Sequence, residues 1–178
     1  MTCGLNHTGK TTFGKALQSQ LSPSIIVDND QLRIFAQNNF PDLYGKTKQF
    51  KDREGNQINM KTLLFKTMIE YSLANQVSCI HTACNTYREQ RKRILQIAKQ
   101  NGATTIVVFF DIPLETIRQR IANEISHKDQ SLYKHGFEGN LEWMLDVFET
   151  PSPDEADYFF HITDNEQGND VLEKILLI

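Results

Sequence analysis

Gly4-Leu5-Asn6-His7-Thr8-Gly9-Lys10-Thr11 satisfies G-x-x-x-x-G-K-[ST] at every defined position, and an amphipathic stretch follows it directly. A loop of this kind closes around phosphate oxygens with successive backbone N–H groups, and the helix it feeds adds the positive end of its dipole. Glycines let the backbone approach the anion, Lys10 brings a point charge, and Thr11 offers a hydroxyl to magnesium. The loop normally hangs from the carboxyl end of a buried parallel strand, so it constrains the rest of the chain to strands alternating with helices. Here Met1 to Cys3 supply the last residues of such a strand, and the first strand is expected to be largely truncated.

The remaining sequence follows that alternation. Short apolar, β-rich runs occur at 24–28, 77–82, 104–111 and 158–163. Helical patterns occupy roughly 10–21, 30–38, 59–75, 87–101, 113–125, 139–149 and 168–177. The fold class is α/β, a three-layer sandwich with a parallel sheet, and 178 residues suit a single domain over 1–178. The polar stretch 44–57 reads as a long loop, and residues 118–138 read as a lid region.

Composition narrows the setting. Nineteen basic against 22 acidic residues give a net charge of -3, without the basic excess common in proteins that grip nucleic acid. No apolar run approaches the roughly 20 residues a membrane span requires, and no secretory signal opens the chain, so no membrane and a cytoplasmic address are expected. Cys3, Cys79 and Cys84 lack zinc-type spacing and read as reduced thiols.

Candidate chemistry gathers around the strand ends. Asp28 and Asp30 close the strand that follows the loop, at the edge where open α/β sheets hold ligands. Arg33 shares a helical face with Asp30, and a carboxylate beside a guanidinium suits phosphoryl transfer to a hydroxyl. Asp30 is the candidate base, with helix capping as its competing role. The triphosphate contacts are assigned to Gly4, Asn6, His7, Thr8, Gly9, Lys10, Thr11 and Thr12, with Arg120 reaching in from the lid. Catalytic roles fall to Lys10, Asp30, Arg33 and Arg120, substrate contacts to Asp28, Asp30, Arg33 and His81, and the metal contact to Thr11. The run "REQRKR" at 88–93 reads as a solvated helix start, with a nucleic acid phosphate contact as its alternative, and Trp143, Tyr133 and Phe137 read as core, with base stacking as theirs.

The loop, the D-x-x-R pair, "EQRKRILQIAKQNG" and "FETPSPDEADYFFHI" together resemble the P-loop polynucleotide kinase group. "VDNDQLRIFAQNNFP" also resembles zeta-toxin kinases, whose acceptor is a nucleotide sugar. The resemblance implies a kinase-like P-loop NTPase fold with ATP and magnesium as cofactors. It also implies Asp30 as base, Arg33 on substrate phosphate, Arg120 as lid arginine, and a nucleic acid or nucleotide 5′-hydroxyl as acceptor. A uridine-diphosphate aminosugar is the second acceptor, and a nucleotide-binding module without turnover is the third reading. His81 stands where the family commonly has an acidic residue, which puts part of the metal or substrate shell in question.

Overall fold

A computed structural model describes residues 1–44, 50–51, 55, 57–125 and 136–178. In chain order the elements are β1 (Thr2–Gly4), α1 (Lys10–Gln18), β2 (Ser24–Asp28), α2 (Asn29–Asn39), α3 (Pro41–Tyr44), β3 (Phe50–Lys51) and β4 (Gln57–Ile58). There follow α4 (Met60–Ala74), β5 (Ser78–Thr82), α5 (Arg88–Gln100), β6 (Ile106–Phe110), α6 (Leu114–Ile125), α7 (Gly136–Val147), a 3-10 turn (Pro153–Glu155), β7 (Tyr158–Ile162) and α8 (Gln167–Leu176). The four strands read from the sequence after the loop appear within two residues of their expected ends. Strands β3 and β4 form a short antiparallel pair inside the expected long loop. Residues 126–135 of the expected lid region, with Tyr133, lie outside the described residues.

The sheet is parallel and is built in two ladders. One joins β1, β6 and β7, with Thr2 opposite Val108 and Ile106 opposite Tyr158. The other joins β2 to β5, with Asp28 opposite Thr82. Between the ladders, Gly4 N donates to Cys84 O at 3.1 Å and Thr2 Oγ1 to His81 O at 3.4 Å, so β1 lies between β5 and β6. The strand order is therefore β2-β5-β1-β6-β7. An apolar cavity of about 460 Å³ lies beside β1, lined in part by Met1, Cys79, His81 and Ile106.

Alternation along β6 shows why both faces are covered. Val108 and Phe110 pack with Phe13 and Leu17 of α1, Ile117 and Ile121 of α6 and Leu172 of α8. Val107 and Phe109 point the other way, onto Leu95 of α5 and Cys3. Successive strand residues face opposite sides, so a run with apolar residues at every position requires helices on both. A third cluster, Val27, Leu32 and Ile69, seats α2 and α4 against β2. Among the described residues no helix is long and apolar enough to cross a membrane.

Candidate active site

The carboxyl ends of β1, β2 and β5 converge on one cleft of about 1110 Å³. The loop between β1 and α1 forms its floor. Gly4 adopts φ 139° and an added Cβ would lie 2.5 Å from Phe110 O, so glycine alone lets the loop leave β1 here. Gly9 sits at the N-cap of α1 with φ 97°, in the left-handed region. Thr8 Oγ1 donates to Leu5 O at 2.9 Å, and Lys10 Nζ reaches Leu5 O and, at 3.1 Å, Thr8 Oγ1. Lys10 thus curls into its own loop, with its ammonium inside the ring of amides that suits a phosphate.

Asp28 ties three elements together. Its Oδ1 accepts from the backbone N–H groups of Asp30 at 2.9 Å and Gln31 at 3.0 Å, which makes Asp28 the N-cap of α2. Its Oδ2 accepts from Thr82 Oγ1 at 2.9 Å and Thr11 Oγ1 at 3.5 Å. Capping therefore belongs to Asp28, which leaves the Asp30 side chain for the cleft. Arg33 donates from NH2 to Asp30 Oδ1 at 3.1 Å, one helical turn on, so the D-x-x-R pair forms as its spacing suggests. Thr11 and Asp28 present hard oxygens side by side, a donor set suited to magnesium. Among the described residues there is no group of three or more His, Cys, Asp or Glu able to hold a metal ion.

Arg120 comes from α6 to the opposite wall. Its NH1 donates to His7 O at 2.9 Å. Asn165, with its amide turned to satisfy both neighbours, donates to Thr8 O at 3.1 Å and accepts from Arg120. His7 Nδ1 lies 3.1 Å from Glu124 Oε2, and its ring meets Phe137 edge-on. Helix α6 is thus stitched to the loop through the His7 carbonyl and Asn165, and Arg120 lines the cleft. Thr12, exposed, and Asn6 also line the cleft.

Three expectations are corrected. His81 does not reach the substrate side: Thr82 faces Asp28, so its neighbour in the strand points to the other face. There the imidazole is buried, edge-on to Phe65 at 4.8 Å, and burial pushes its pKa down to about 3. Period-two alternation from Asp28 and Thr82 carries this signal. Arg91, read as part of a solvated run, is wholly buried. Its guanidinium grips Glu155 in a fork, Nε to Oε2 at 2.7 Å and NH2 to Oε1 at 2.8 Å, while NH1 donates to Asn85 O and Glu149 O. Trp143, read as core, is 49% exposed and lines the cleft, while Phe137 and Met144 take the buried stripe.

Sequence reasoning also missed several residues of the cleft. Cys84 donates to Asn6 Oδ1 at 2.7 Å, and burial raises its pKa. Lys61, Gln90, Asn140, Asn165, Gly168 and Asn169 also line the cleft. The last three follow the final strand, where "DNEQGN" could have been read as a polar turn at the sheet's ligand edge.

Comparison with known proteins fits this architecture. A family model described as an AAA domain matches residues 1–151. The chain is 24% identical over 163 residues to an adenylyl-sulfate kinase of Myxococcus xanthus (strain DK1622), spanning 89% of this chain and 78% of that protein. The structure resembles Chaetomium thermophilum Kti12 in complex with ADP-AlF3 at TM-score 0.64 and 16% identity, covering 98% of this chain and 95% of that one. It also resembles the Mycobacterium tuberculosis APS kinase CysC in complex with AMPPNP and APS at TM-score 0.57 and 15% identity, covering 99% and 94%. The chain belongs to this AAA domain family, and its architecture is that of a P-loop kinase.

Proposed function

We propose that the chain transfers the γ-phosphoryl group of ATP to a hydroxyl of a small acceptor, a nucleotide or sugar derivative. The observation that carries this reading is the placement of the Asp30–Arg33 pair at 3.1 Å in the same cleft as the phosphate loop, on the side away from Arg120. The loop amides and Lys10 would hold the β- and γ-phosphates, and Arg120 would counter charge developing on the transferred group. Asp30 would accept or orient the acceptor's hydroxyl proton, and Arg33 would hold the acceptor in line. Thr11 and Asp28 would hold magnesium, which would supply charge neutralisation when bound.

A small acceptor is favoured over a polynucleotide by what the basic residues beside the cleft already do. Arg91 is spent on Glu155, Arg88 lies 3.1 Å from Asp154, and Arg118 lies 3.2 Å from Glu142. A backbone track needs cations available to phosphates along its length. The adenylyl-sulfate kinase relative and the APS complex of the structural neighbour support a nucleotide-like acceptor for this chain. The test is transfer from γ-labelled ATP with magnesium to parallel acceptors: nucleoside phosphates, sugars, a uridine-diphosphate aminosugar and a 5′-hydroxyl oligonucleotide. Label on a small acceptor is expected. Label on the oligonucleotide alone would overturn the small-acceptor reading, and ATP binding without transfer to any of them would favour a binding module.

A further inference from the structure

Residues 82–86, at the end of β5, line the cleft and are held from several sides. Thr82 Oγ1 donates to Asp28 Oδ2 at 2.9 Å. Cys84 grips the phosphate loop twice: its carbonyl accepts from Gly4 N at 3.1 Å, and its thiol donates to Asn6 Oδ1 at 2.7 Å. Burial raises the Cys84 pKa while the Lys10 ammonium draws it down, so the thiol lies beside the cation of the loop. One short segment therefore touches both the loop suited to phosphates and the strand end from which Asp30 follows.

The segment does not hold its shape unaided. Asn85 is buried at φ 49°, in the left-handed region, where a non-glycine residue is strained and persists only if its surroundings fix it. Its Nδ2 donates to Thr2 O at 2.6 Å. Its carbonyl accepts from Arg91 NH1 at 2.9 Å, and the same nitrogen reaches Thr86 O at 3.2 Å and Glu149 O at 2.8 Å. Arg91 is in turn fixed by its fork on Glu155 and is wholly buried behind the segment. A continuous path of hydrogen bonds and peptide links thus runs from Glu155 through Arg91 and Asn85 to Cys84 and Asn6.

We propose that Arg91 is a positioning residue for phosphoryl transfer. It touches neither nucleotide nor acceptor. From behind the cleft it fixes residues 82–86, and through Cys84 and Thr82 that segment sets the phosphate loop against the end of β2 and hence against Asp30. Transfer between two bound groups depends on their alignment, and a misplacement of about 1 Å can cost about 10²-fold in rate. The inference rests on the kinase reading of the cleft.

Because Arg91→Ala endangers folding, the test loosens the path at two other points. Glu155→Gln keeps the side-chain shape and weakens the clamp, while Cys84→Ala cuts the link to Asn6 and leaves the clamp whole. Both, their double variant and Ile175→Ala, a buried core substitution in α8, are assayed with ATP and magnesium at a temperature where circular dichroism shows each folded. Glu155→Gln is expected to lower kcat about 10–100-fold with KM for ATP within about threefold, and Cys84→Ala to lower it comparably. The double variant should fall little below the poorer single one, since both act along one path. Ile175→Ala should lose Tm and keep kcat. Wild-type kcat in folded Glu155→Gln, losses that multiply in the double variant, or an equal fall in Ile175→Ala would overturn the proposal. Amide hydrogen exchange reads the same coupling without turnover: it should quicken at residues 4–9 and 82–86 in Glu155→Gln and not in Ile175→Ala, and unchanged exchange there would also overturn it. Failure of the kinase reading is separate and would show as absent transfer by the wild-type protein, with the exchange comparison still deciding whether the clamp holds the loop.

Discussion

His81 illustrates how a single side chain can set the acid behaviour of the molecule. Its pKa is about 3 in the folded chain and near the ordinary 6.5 when unfolded, because burial disfavours the imidazolium. As pH falls through 6.5 the unfolded state takes up a proton that the folded state refuses, so the unfolded state binds more protons and stability falls with pH. Between about pH 6.5 and 5 this amounts to roughly 2 kcal/mol. Depressed carboxylates such as Glu155 and Asp157 add their own loss at more acidic pH. Urea unfolding of His81→Leu should show a flatter profile in the upper window, with phosphoryl transfer retained. An unchanged slope would mean that the imidazole is not the titrating group.

Among the elements, α5 is held by a contact that joins distant parts of the sequence. Arg91 and Glu155 are 64 residues apart, and their fork fixes α5 against the Pro153–Glu155 turn. The capping box of that turn reinforces it, since Ser152 N donates to Glu155 Oε1 at 3.1 Å. Arg91 NH1 also collects the carbonyls of Asn85 and Glu149, and Asn85 Nδ2 donates to Thr2 O at 2.6 Å. The clamp therefore reaches β1 and the strand end from which the cleft is built. Removing one member leaves a buried charge uncompensated, which costs about 3–5 kcal/mol. Arg91→Ala is expected to lower unfolding free energy by that amount in denaturant titration. Arg91→Lys should recover little, because an ammonium cannot reproduce the fork. A loss below about 1 kcal/mol for Arg91→Ala would show that the pair is solvated.

At the scale of the whole molecule, strands and helices were legible because each carries its own period. The five apolar residues of β6 and the apolar stripe of α6 need no partner to be recognised. The phosphate loop was legible because its residue types sit at fixed spacing, and Asp30 and Arg33 because one helical turn brings them together. What escaped the sequence depends on other segments. Arg91 looks like one cation in a basic run until Glu155 arrives from beyond β6, and Lys61 enters the cleft only because α4 packs beside α2 on β2. Trp143 belongs to an apolar-rich helix whose buried face is chosen by contact with α6 and the loop, not by its own sequence.

The central claim, that the cleft between the phosphate loop and α2 transfers phosphate with Asp30 as its base, is tested most directly by one comparison. ATP-dependent transfer to the best acceptor would be followed for wild type and Asp30→Asn, with nucleotide affinity and unfolding measured on both. The substitution keeps the shape and the neighbouring Asp28 cap, so folding and ATP binding should be unchanged while kcat falls about 10²–10⁴-fold. An Asp30→Asn protein that binds ATP normally and turns over at the wild-type rate would contradict the account.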